Sequence, residues 1–332
     1  MKNRSRVGTV GAGSLGYHHV RILRELPDVQ FVGFVERRPD RAEQVARELG
    51  VRAFPTLEAL LDEGVDGITV VVPTPEHHRV AKAALERGTH VLIEKPLAAT
   101  LEEADDLLET AARGGALVQT GHVERFNRAV RAALPHIDTP RFIESDRLAP
   151  FNPRGSEVAV VLDLMIHDID LVRTLVGTPV TELSAVGVAV LTPSVDIANA
   201  RLTFASGAVA NITASRVSRE RMRKIRIFQR NGYLSLDLAQ GAGEFYRMRG
   251  DVDFAALTQS PQELLAFVER VTLDAPEGEP LRLEFESFIA ALQGRASVVA
   301  TGAEGREALA VALRIVGEIE RTLPSLAGAH ER

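Results

Sequence analysis

The stretch Arg6-Val-Gly-Thr-Val10-Gly11-Ala-Gly13-Ser-Leu-Gly16 decides the fold of this chain. It has the pattern of a short buried strand, a glycine-rich turn and the start of a helix that runs to about Leu26. The first glycine of such a turn permits a tight bend, the second lets the backbone approach a pyrophosphate, and the third allows close packing of helix on strand. The amide groups at the helix N-terminus then face the phosphates. The expected cofactor contacts in this turn are Gly11, Gly13, Ser14, Leu15 and Gly16.

The next predicted strand, residues 29–35, ends at an acidic residue, Glu36. Glu36 follows Gly16 by about 20 residues, the spacing at which an acidic side chain accepts hydrogen bonds from the adenosine ribose. A carboxylate there repels a 2′-phosphate and favours NAD. The adjacent Arg37 and Arg38 leave a second reading open, in which they bind that phosphate and favour NADP. NAD is the predicted cofactor, with Glu36 and Arg37 in its site.

Strands and helices alternate up to residue 122, which predicts a doubly wound parallel sheet. Ligands of such sheets bind beyond the carboxyl ends of the strands. Lys95 follows a predicted strand and is therefore a site candidate, whereas His18, His19 and His77 are expected to have packing or surface roles. The other candidates at strand ends are Pro73, Thr74, His78 and Glu94, which are expected with Lys95 to contact the cofactor, and His122.

After residue 122 the pattern changes to successive strands joined by short turns, which predicts a mostly antiparallel sheet. The chain is therefore predicted to have an α/β fold, with a Rossmann domain at residues 1–122 and an α+β domain with an open sheet at residues 123–332. The strands expected in the second domain cover residues 140–148, 180–191, 197–204, 208–215, 225–229 and 233–237. Its expected helices cover residues 123–134, 283–292 and 304–323, together with the helix around residue 165.

That helix, Val161-Leu-Asp-Leu-Met-Ile-His-Asp-Ile-Asp170, is apolar almost all round yet carries ionisable groups. On an α-helix Asp163, His167 and Asp170 fall within roughly 60° of each other, and Asp168 lies off this stripe. Burial of a charge costs several kcal/mol unless the charge is paired. The stripe is therefore either an Asp–His pair satisfied inside a core or the wall of a cleft, and the segment alone leaves both readings open.

The composition excludes several classes of protein and site. The 332 residues include 45% hydrophobic and 25% charged residues, as in ordinary globular proteins, and the formal net charge is −6. Such a charge gives no general affinity for nucleic acid. The absence of cysteine excludes disulfides and thiolate metal sites and fits a cytoplasmic location. No metal site, targeting segment or membrane span is expected.

Four motifs, in this order and spacing, resemble the Gfo/Idh/MocA family of nicotinamide-dependent oxidoreductases. They are Gly11-Ala-Gly-Ser-Leu-Gly16, Thr74-Pro-Glu-His-His78, Glu94-Lys-Pro96 and Asp163-x-x-x-His167. The resemblance implies a Rossmann domain followed by an α+β domain, and oxidation of a hydroxyl group with Lys95, Asp163 and His167 as catalytic residues. Either His167 or Lys95 would be the base, and Lys95 could instead stabilise the alkoxide.

Three further segments resemble one branch of the family, the UDP-N-acetylglucosamine 3-dehydrogenases. They are Gly121–Asn127, Arg147–Gly155 and Val160–Asp170. This resemblance implies oxidation of the sugar 3-hydroxyl on the way to a 3-amino sugar of lipid A, with arginines available for the diphosphate. The substrate contacts that it implies are Lys95, His122, Arg125, Phe126, Arg147, Arg154, Asp163, His167 and Asp170.

Other functions stay open on the sequence. A dehydrogenase of a free sugar or of inositol would need the same catalytic residues, and a regulator could keep the nicotinamide site without turnover. A third reading keeps NAD bound and cycles it within one turnover. A homodimer or homotetramer is also expected, because residues 186–190 and 208–212 are apolar on more than one strand face.

Overall fold

The computed structural model describes residues 4–153, 158–249, 267–296 and 298–322. Contacts within the chain divide it into two units. The first contains Met1–Phe126 and Gly278–Ala310, and the second contains Asn127–Glu277 and Val311–Arg332. The predicted boundary at residue 122 lies close to the end of the first segment. A second segment, Gly278–Ala310, was assigned to the C-terminal domain by the sequence analysis but packs with the N-terminal unit.

The first unit is built on a parallel sheet of six strands in the order β3-β2-β1-β4-β5-β6. The strands are β1 (Ser5–Val10), β2 (Val29–Val35), β3 (Ala53–Phe54), β4 (Gly67–Val70), β5 (His90–Glu94) and β6 (Val118–Gly121). The helices between them are α1 (Ser14–Glu25), α2 (Pro39–Leu49), α3 (Leu57–Leu61), α4 (His77–Leu85) and α5 (Leu101–Gly114). The strand order reverses between β1 and β4, so the predicted doubly wound Rossmann sheet is confirmed.

A late helix completes the core of this unit. Helix α8 (Pro280–Leu292) buries Phe285 and Phe288 against Val7 of β1 and Leu23 of α1. Burying an aromatic side chain of this size stabilises a fold by about 1.5–3 kcal/mol. The return of the chain to the first unit therefore contributes directly to its stability.

The second unit is built on a sheet of eight strands in the order β14-β13-β12-β11-β7-β10-β9-β8. The strands are β7 (Phe142–Leu148), β8 (Val180–Val188), β9 (Ile197–Phe204), β10 (Val209–Ser215), β11 (Met222–Gln229), β12 (Gly232–Asp237), β13 (Ala242–Met248) and β14 (Val268–Leu273). Only β7 and β10 pair in parallel, so the predicted mostly antiparallel sheet is confirmed. Strands β13 and β14 extend the sheet beyond the strands that the sequence predicted.

Two predicted helices differ in detail from those observed. The expected helix over residues 123–134 is interrupted at Asn127, which ends a 3₁₀ turn (Val123–Phe126) and caps α6 (Arg128–Ala133) by accepting the N–H of Ala129. The expected helix around residue 165 begins with a π-helical turn, Val161–Met165, and continues as α7 (Ile166–Val176). The N–H of Ile166 donates to the carbonyl of Val161, five residues back, and this widens the turn.

The last helix, α9 (Gly302–Thr322), begins in the first unit and ends in the second. Gly302 and Gly305 lie against β6, where an added Cβ would meet Val118 or Thr120 at less than 3.0 Å. Close packing of α9 on the sheet therefore requires glycine at both positions. Among the described residues, no helix is long and apolar enough to cross a membrane.

Candidate active site

The glycine turn between β1 and α1 has the geometry that a bound pyrophosphate requires. Gly11 has a φ of 94°, and a Cβ there would lie 2.3 Å from the carbonyl oxygen of Val71. A Cβ on Gly16 would lie 2.0 Å from the carbonyl oxygen of Gly11. A Cβ on Gly13 would meet no described atom within 4 Å, so the turn is open at this position. Helix α1 begins at Ser14 without a side-chain cap, which leaves its first amides directed at this opening.

Glu36 lies beside this turn as a carboxylate. Its Oε2 accepts the N–H of Ala12 at 3.0 Å, and its Oε1 accepts the N–H of Arg38 at 3.1 Å and the Nε of Arg38 at 3.3 Å. Burial raises the pKa of Glu36, but the hydrogen bonds from Arg38 and Ala12 outweigh burial and hold this pKa below its usual value. The charge predicted to meet the ribose is therefore present at neutral pH, and Arg38 pairs with Glu36. Arg37 is exposed at the start of α2.

Replacing Glu36 with Ser is expected to raise kcat/KM for NADP relative to NAD. Repulsion between two unit charges about 4 Å apart is worth about 1 kcal/mol in water and about 4 kcal/mol near a protein surface, so the ratio should change about tenfold or more. The same change frees Arg38 to pair with a phosphate. Initial rates with both cofactors measure the ratio, and a wild type that already prefers NADP would contradict the prediction.

Arg41 contacts the predicted cofactor turn, and it is not among the residues that the sequence predicts there. Its Nε donates to the carbonyl of Ala12 at 3.0 Å, and Nη2 donates to the carbonyl of Gly13 at 3.3 Å. Its guanidinium also lies 5.5 Å from the ring centroid of Tyr17 on α1. Arg41 therefore ties α2 to the glycine turn and to α1. Only its position on the first turn of α2 could have indicated this role.

The segment after β4 brings two neighbouring histidines into different surroundings. Pro73 is exposed and Thr74 half-buried at the start of a 3₁₀ turn, Thr74–Glu76. His78, predicted to contact the cofactor, lies on α4 with its Nε2 2.6 Å from a carboxylate oxygen of Asp106 on α5. His77 is buried instead, and its ring lies between the carbonyls of Val72 and Pro96. A contact between His78 and the cofactor stays a prediction.

Glu94 and Lys95 lie at the end of β5. The buried Glu94 carboxylate accepts a hydrogen bond from Nε2 of His19 at 3.1 Å. A Cβ on Gly121 of β6 would lie 2.9 Å from this carboxylate, so glycine is required there. Burial raises the pKa of Glu94, but the hydrogen bond from His19 and nearby positive charges, Lys95 among them, hold it below its usual value. Lys95 is half-buried next to a charged carboxylate.

The residues after β6 are largely buried within the first unit. His122 and Phe126 are both buried. Nη1 of Arg125 donates to the carbonyl of Val299 at 2.8 Å and to a carboxylate oxygen of Glu304 at 2.9 Å. Burial raises the pKa of Glu304, but the hydrogen bonds from Arg125 and Thr301 outweigh burial and lower it. These contacts give Arg125 a structural role, and its predicted contact with substrate stays a prediction.

In the second unit, the predicted polar stripe divides into two parts. Asp163 in the π-helical turn and His167 on α7 are half-buried, whereas Asp170 is 1% exposed. The stripe was placed by α-helical geometry, and the wider turn at Val161–Met165 changes the angles between successive residues. Single π-helical turns within helices are frequent at functional sites. Asp163 and His167 are therefore the accessible members of the predicted set.

Arg147, predicted to bind substrate, forms a buried ion pair. Its Nε lies 2.6 Å from one carboxylate oxygen of Asp168 and its Nη2 lies 3.2 Å from the other. The hydroxyl of Ser145 donates to the same carboxylate at 3.1 Å. Asp168 lies off the predicted stripe, and its buried partner Arg147 is the physical reason for its position. Arg154 lies outside the described residues.

Sequence comparison agrees with this geometry over most of the chain. Residues 5–122 match the model of the oxidoreductase family with an NAD-binding Rossmann fold, Gfo/Idh/MocA. Residues 136–235 match the C-terminal domain of the same family. The chain belongs to the Gfo/Idh/MocA family. It is therefore an NAD-dependent oxidoreductase, as the sequence motifs predicted, and the glycine turn and Glu36 belong to its cofactor domain.

Two relatives of this Gfo/Idh/MocA protein illustrate the range of the family. UDP-N-acetylglucosamine 3-dehydrogenase of Acidithiobacillus ferrooxidans is 37% identical over 319 residues, which cover 96% of this chain and 98% of the relative. A solved structure of that enzyme superposes with a TM-score of 0.89 at 36% identity and covers 97% of this chain and 99% of its own. The scyllo-inositol 2-dehydrogenase (NAD⁺) of Bacillus subtilis is 31% identical and covers 66% of this chain and 69% of the relative.

Proposed function

We propose that this protein is an NAD-dependent dehydrogenase that oxidises the 3-hydroxyl of the sugar in UDP-N-acetylglucosamine. The main support for this substrate is the 37% identity to the Acidithiobacillus ferrooxidans enzyme over nearly the whole of both chains. The inositol dehydrogenase match covers only two thirds of the chain at lower identity. The resemblance at Gly121–Asn127 and Val160–Asp170 supports the same substrate. A place in the route to a 3-amino sugar of lipid A and a cytoplasmic location stay predictions.

The proposed chemistry assigns separate tasks to three side chains. Bound NAD supplies the hydride acceptor. His167 is assigned as the base, because a neutral imidazole can take a hydroxyl proton near neutral pH. Asp163 is placed four residues before His167 to fix its orientation. The ammonium group of Lys95 donates a hydrogen bond to the substrate oxygen and stabilises the alkoxide as it forms. The assignment of these roles to Lys95, Asp163 and His167 rests on the resemblance to the family.

The diphosphate of the proposed substrate needs cations. Arg147 pairs with Asp168, so its guanidinium already binds a carboxylate of the second unit. Further candidate arginines for the diphosphate are Arg154 and those of the basic run from Arg216 to Arg226. Within that run Arg216 pairs with buried Asp196 and Arg226 pairs with Glu144. We propose that Arg154, rather than Arg147, binds the diphosphate.

A screen of substrates with NAD tests the proposed function. UDP-N-acetylglucosamine is compared with free N-acetylglucosamine, glucose and myo-inositol, and the formation of reduced nicotinamide is followed by absorbance. Hydroxylamine traps the ketone, because oxidation of a secondary alcohol by NAD is uphill. Turnover of the UDP-sugar alone is the expected result. Turnover of a free polyol without turnover of the UDP-sugar would overturn the substrate, and no turnover of any of them would favour a regulator.

We also propose that the protein is a homodimer or homotetramer in solution. Edge strand β8 and the loop after it present large apolar side chains to solvent, with Val186 62% and Leu191 61% exposed. The loop is held in place by buried Asp196, whose Oδ2 accepts the N–H groups of Val190 and Leu191 at 2.8 and 2.7 Å. An ordered apolar surface at the edge of a sheet is a suitable contact surface for a second copy of the chain.

Light scattering is expected to give a mass that is a multiple of the 36.0 kDa of one chain. Replacing the exposed Val188 on β8 with Lys should move the mass towards a single chain, because a buried unpaired charge disfavours the contact. Leu134→Lys is the matched control, since Leu134 is exposed in the same unit away from β8. A wild-type mass of one chain would exclude the assembly.

A further inference from the structure

His77 makes two short contacts that a neutral histidine cannot both use as hydrogen bonds. Its Nδ1 lies 2.9 Å from the carbonyl oxygen of Pro96, and its Nε2 lies 2.9 Å from the carbonyl oxygen of Val72. A carbonyl oxygen only accepts hydrogen bonds, and a neutral imidazole carries a single N–H. The neutral ring therefore donates to one carbonyl and turns a lone pair towards the other. Only the imidazolium donates to both.

The two carbonyls belong to different segments at the carboxyl edge of the parallel sheet. Val72 follows β4, and Pro96 follows Lys95 at the end of β5. The side chain of His77 is 1% exposed, so solvent does not take the place of either carbonyl. The ring is therefore the link between the segment after β4 and the peptide that carries Lys95, and its proton count decides whether the link has one hydrogen bond or two.

The charged groups around this ring favour a positive charge on it. Glu94 is a buried carboxylate whose charge raises the proton affinity of His77. His19 donates to Glu94 from Nε2, and its Nδ1 is buried with no hydrogen-bond partner among the described residues. Lys95 follows Glu94 in the chain, and its positive charge also acts on this carboxylate.

Burial acts in the opposite direction. It lowers the pKa of His77, and the contacts with Pro96 and Val72 and the charge of Glu94 offset this only in part, so the pKa lies below the usual 6.5. The neutral ring therefore predominates at neutral pH, and the imidazolium needs a more acidic solution than it does in an ordinary histidine. Protonation of the ring would therefore change its hydrogen bonds to these two carbonyls from one to two.

We propose that His77 is a positioning residue whose protonation sets the backbone that carries Lys95. The protonated ring ties the segments after β4 and β5 together, and the neutral ring releases one of the two carbonyls. The proton-dependent link is a property of the folded first unit. Its effect on turnover rests on the dehydrogenase function proposed above.

Nuclear magnetic resonance of the full chain with ¹⁵N-labelled histidine tests the link without any substrate. The ring signals of His77, assigned by their loss in His77→Gln, should pass from a doubly protonated to a neutral form with a midpoint below about pH 6.5. The backbone signals of Val72 and Leu97 should shift with the same midpoint. A single neutral ring form from about pH 5 to about pH 8 would overturn the inference, as would a titration that the backbone signals ignore.

Two variants separate the two contacts. In His77→Asn the amide nitrogen replaces Nδ1 and can still donate to Pro96, and in His77→Gln it replaces Nε2 and can still donate to Val72. Each variant keeps a single hydrogen bond at every pH, as the neutral ring does, so neither can change between one bond and two. The inflection of the kcat profile at the titration midpoint of His77 should disappear in both.

His90 provides the matched control. It is a half-buried histidine of the same unit, burial also lowers its pKa, and its Nδ1 accepts the N–H of Leu117 at the amino end of β5. His90→Asn replaces Nδ1 with an amide oxygen that accepts the same bond, so the wild-type inflection should persist. Persistence of the inflection in His77→Asn and His77→Gln as well would overturn the role in turnover. If no substrate is oxidised, the proposed function fails while the resonance experiment still decides the proton-dependent link.

Discussion

Replacing Lys95 with Met or His167 with Ala is expected to lower kcat by about 10²–10⁴-fold, the contribution typical of a positioned acid or base. Both side chains are half-buried, and neither substitution disturbs the glycine turn or Glu36. Binding of NAD, measured by calorimetry, should therefore stay close to that of the wild type. Asp163→Asn should act in the same direction, because the amide can no longer pair with a charged imidazole.

Matched controls separate loss of chemistry from general damage. Lys82→Met removes the other lysine described in the first unit, which pairs with Asp106 near the surface, where an ion pair contributes little. His136→Ala removes a half-buried histidine of the second unit that packs beside Phe245. Both controls should keep most of the wild-type kcat. Wild-type turnover in both Lys95→Met and His167→Ala would instead favour a nicotinamide-binding regulator.

Arg147→Ala is expected to destabilise the protein by about 3–5 kcal/mol, because it leaves the carboxylate of Asp168 buried without its cation. The side chains of Arg147 and Asp168 are 3% and 2% exposed, so solvent screens this pair very little. Each kcal/mol lowers the melting temperature by about 2–4 °C in a domain of 150–250 residues. A fall of roughly 10 °C should be visible by differential scanning calorimetry.

A double variant tests whether the pair is structural. Arg147→Met with Asp168→Leu replaces both charges by apolar groups, and such exchanges are often neutral or stabilising. The double variant should therefore be more stable than Arg147→Ala alone. If Arg147→Ala keeps the wild-type melting temperature and raises only the KM for a UDP-sugar, the arginine binds substrate, as the sequence first suggested.

The sequence predicted best the features that depend on neighbouring residues. The glycine turn, Glu36 and the strand ends follow from local spacing, and each lies where the pattern placed it. The core contact between Phe285 on α8 and Val7 on β1 joins residues at opposite ends of the chain, and local spacing carries no signal for it. The same limit applies to Gly278–Ala310, which follows the predicted boundary at residue 122 in the chain but belongs to the first unit.

The sequence does not show which groups the charged side chains pair with. Arg125 and Arg147 have the charge that a diphosphate needs, but each meets a carboxylate of its own unit, Glu304 and Asp168. His77 and His78 are adjacent and chemically identical, so only their burial distinguishes the link between two carbonyls from the ring beside Asp106. Burial depends on tertiary packing, which cannot be inferred from the type of side chain alone.

The packing of Phe285, Phe288 and Ile289 against β1 and α1 bears on how the chain folds as it leaves the ribosome. The N-terminal strands emerge first, but their core lacks these side chains until some 160 further residues have been synthesised, which takes roughly 8–30 s at the usual rate of translation. During that interval the apolar surface of β1 and α1 is exposed to other nascent chains. Chaperone binding to the N-terminal half, released once α8 emerges, is the behaviour that this order of synthesis favours.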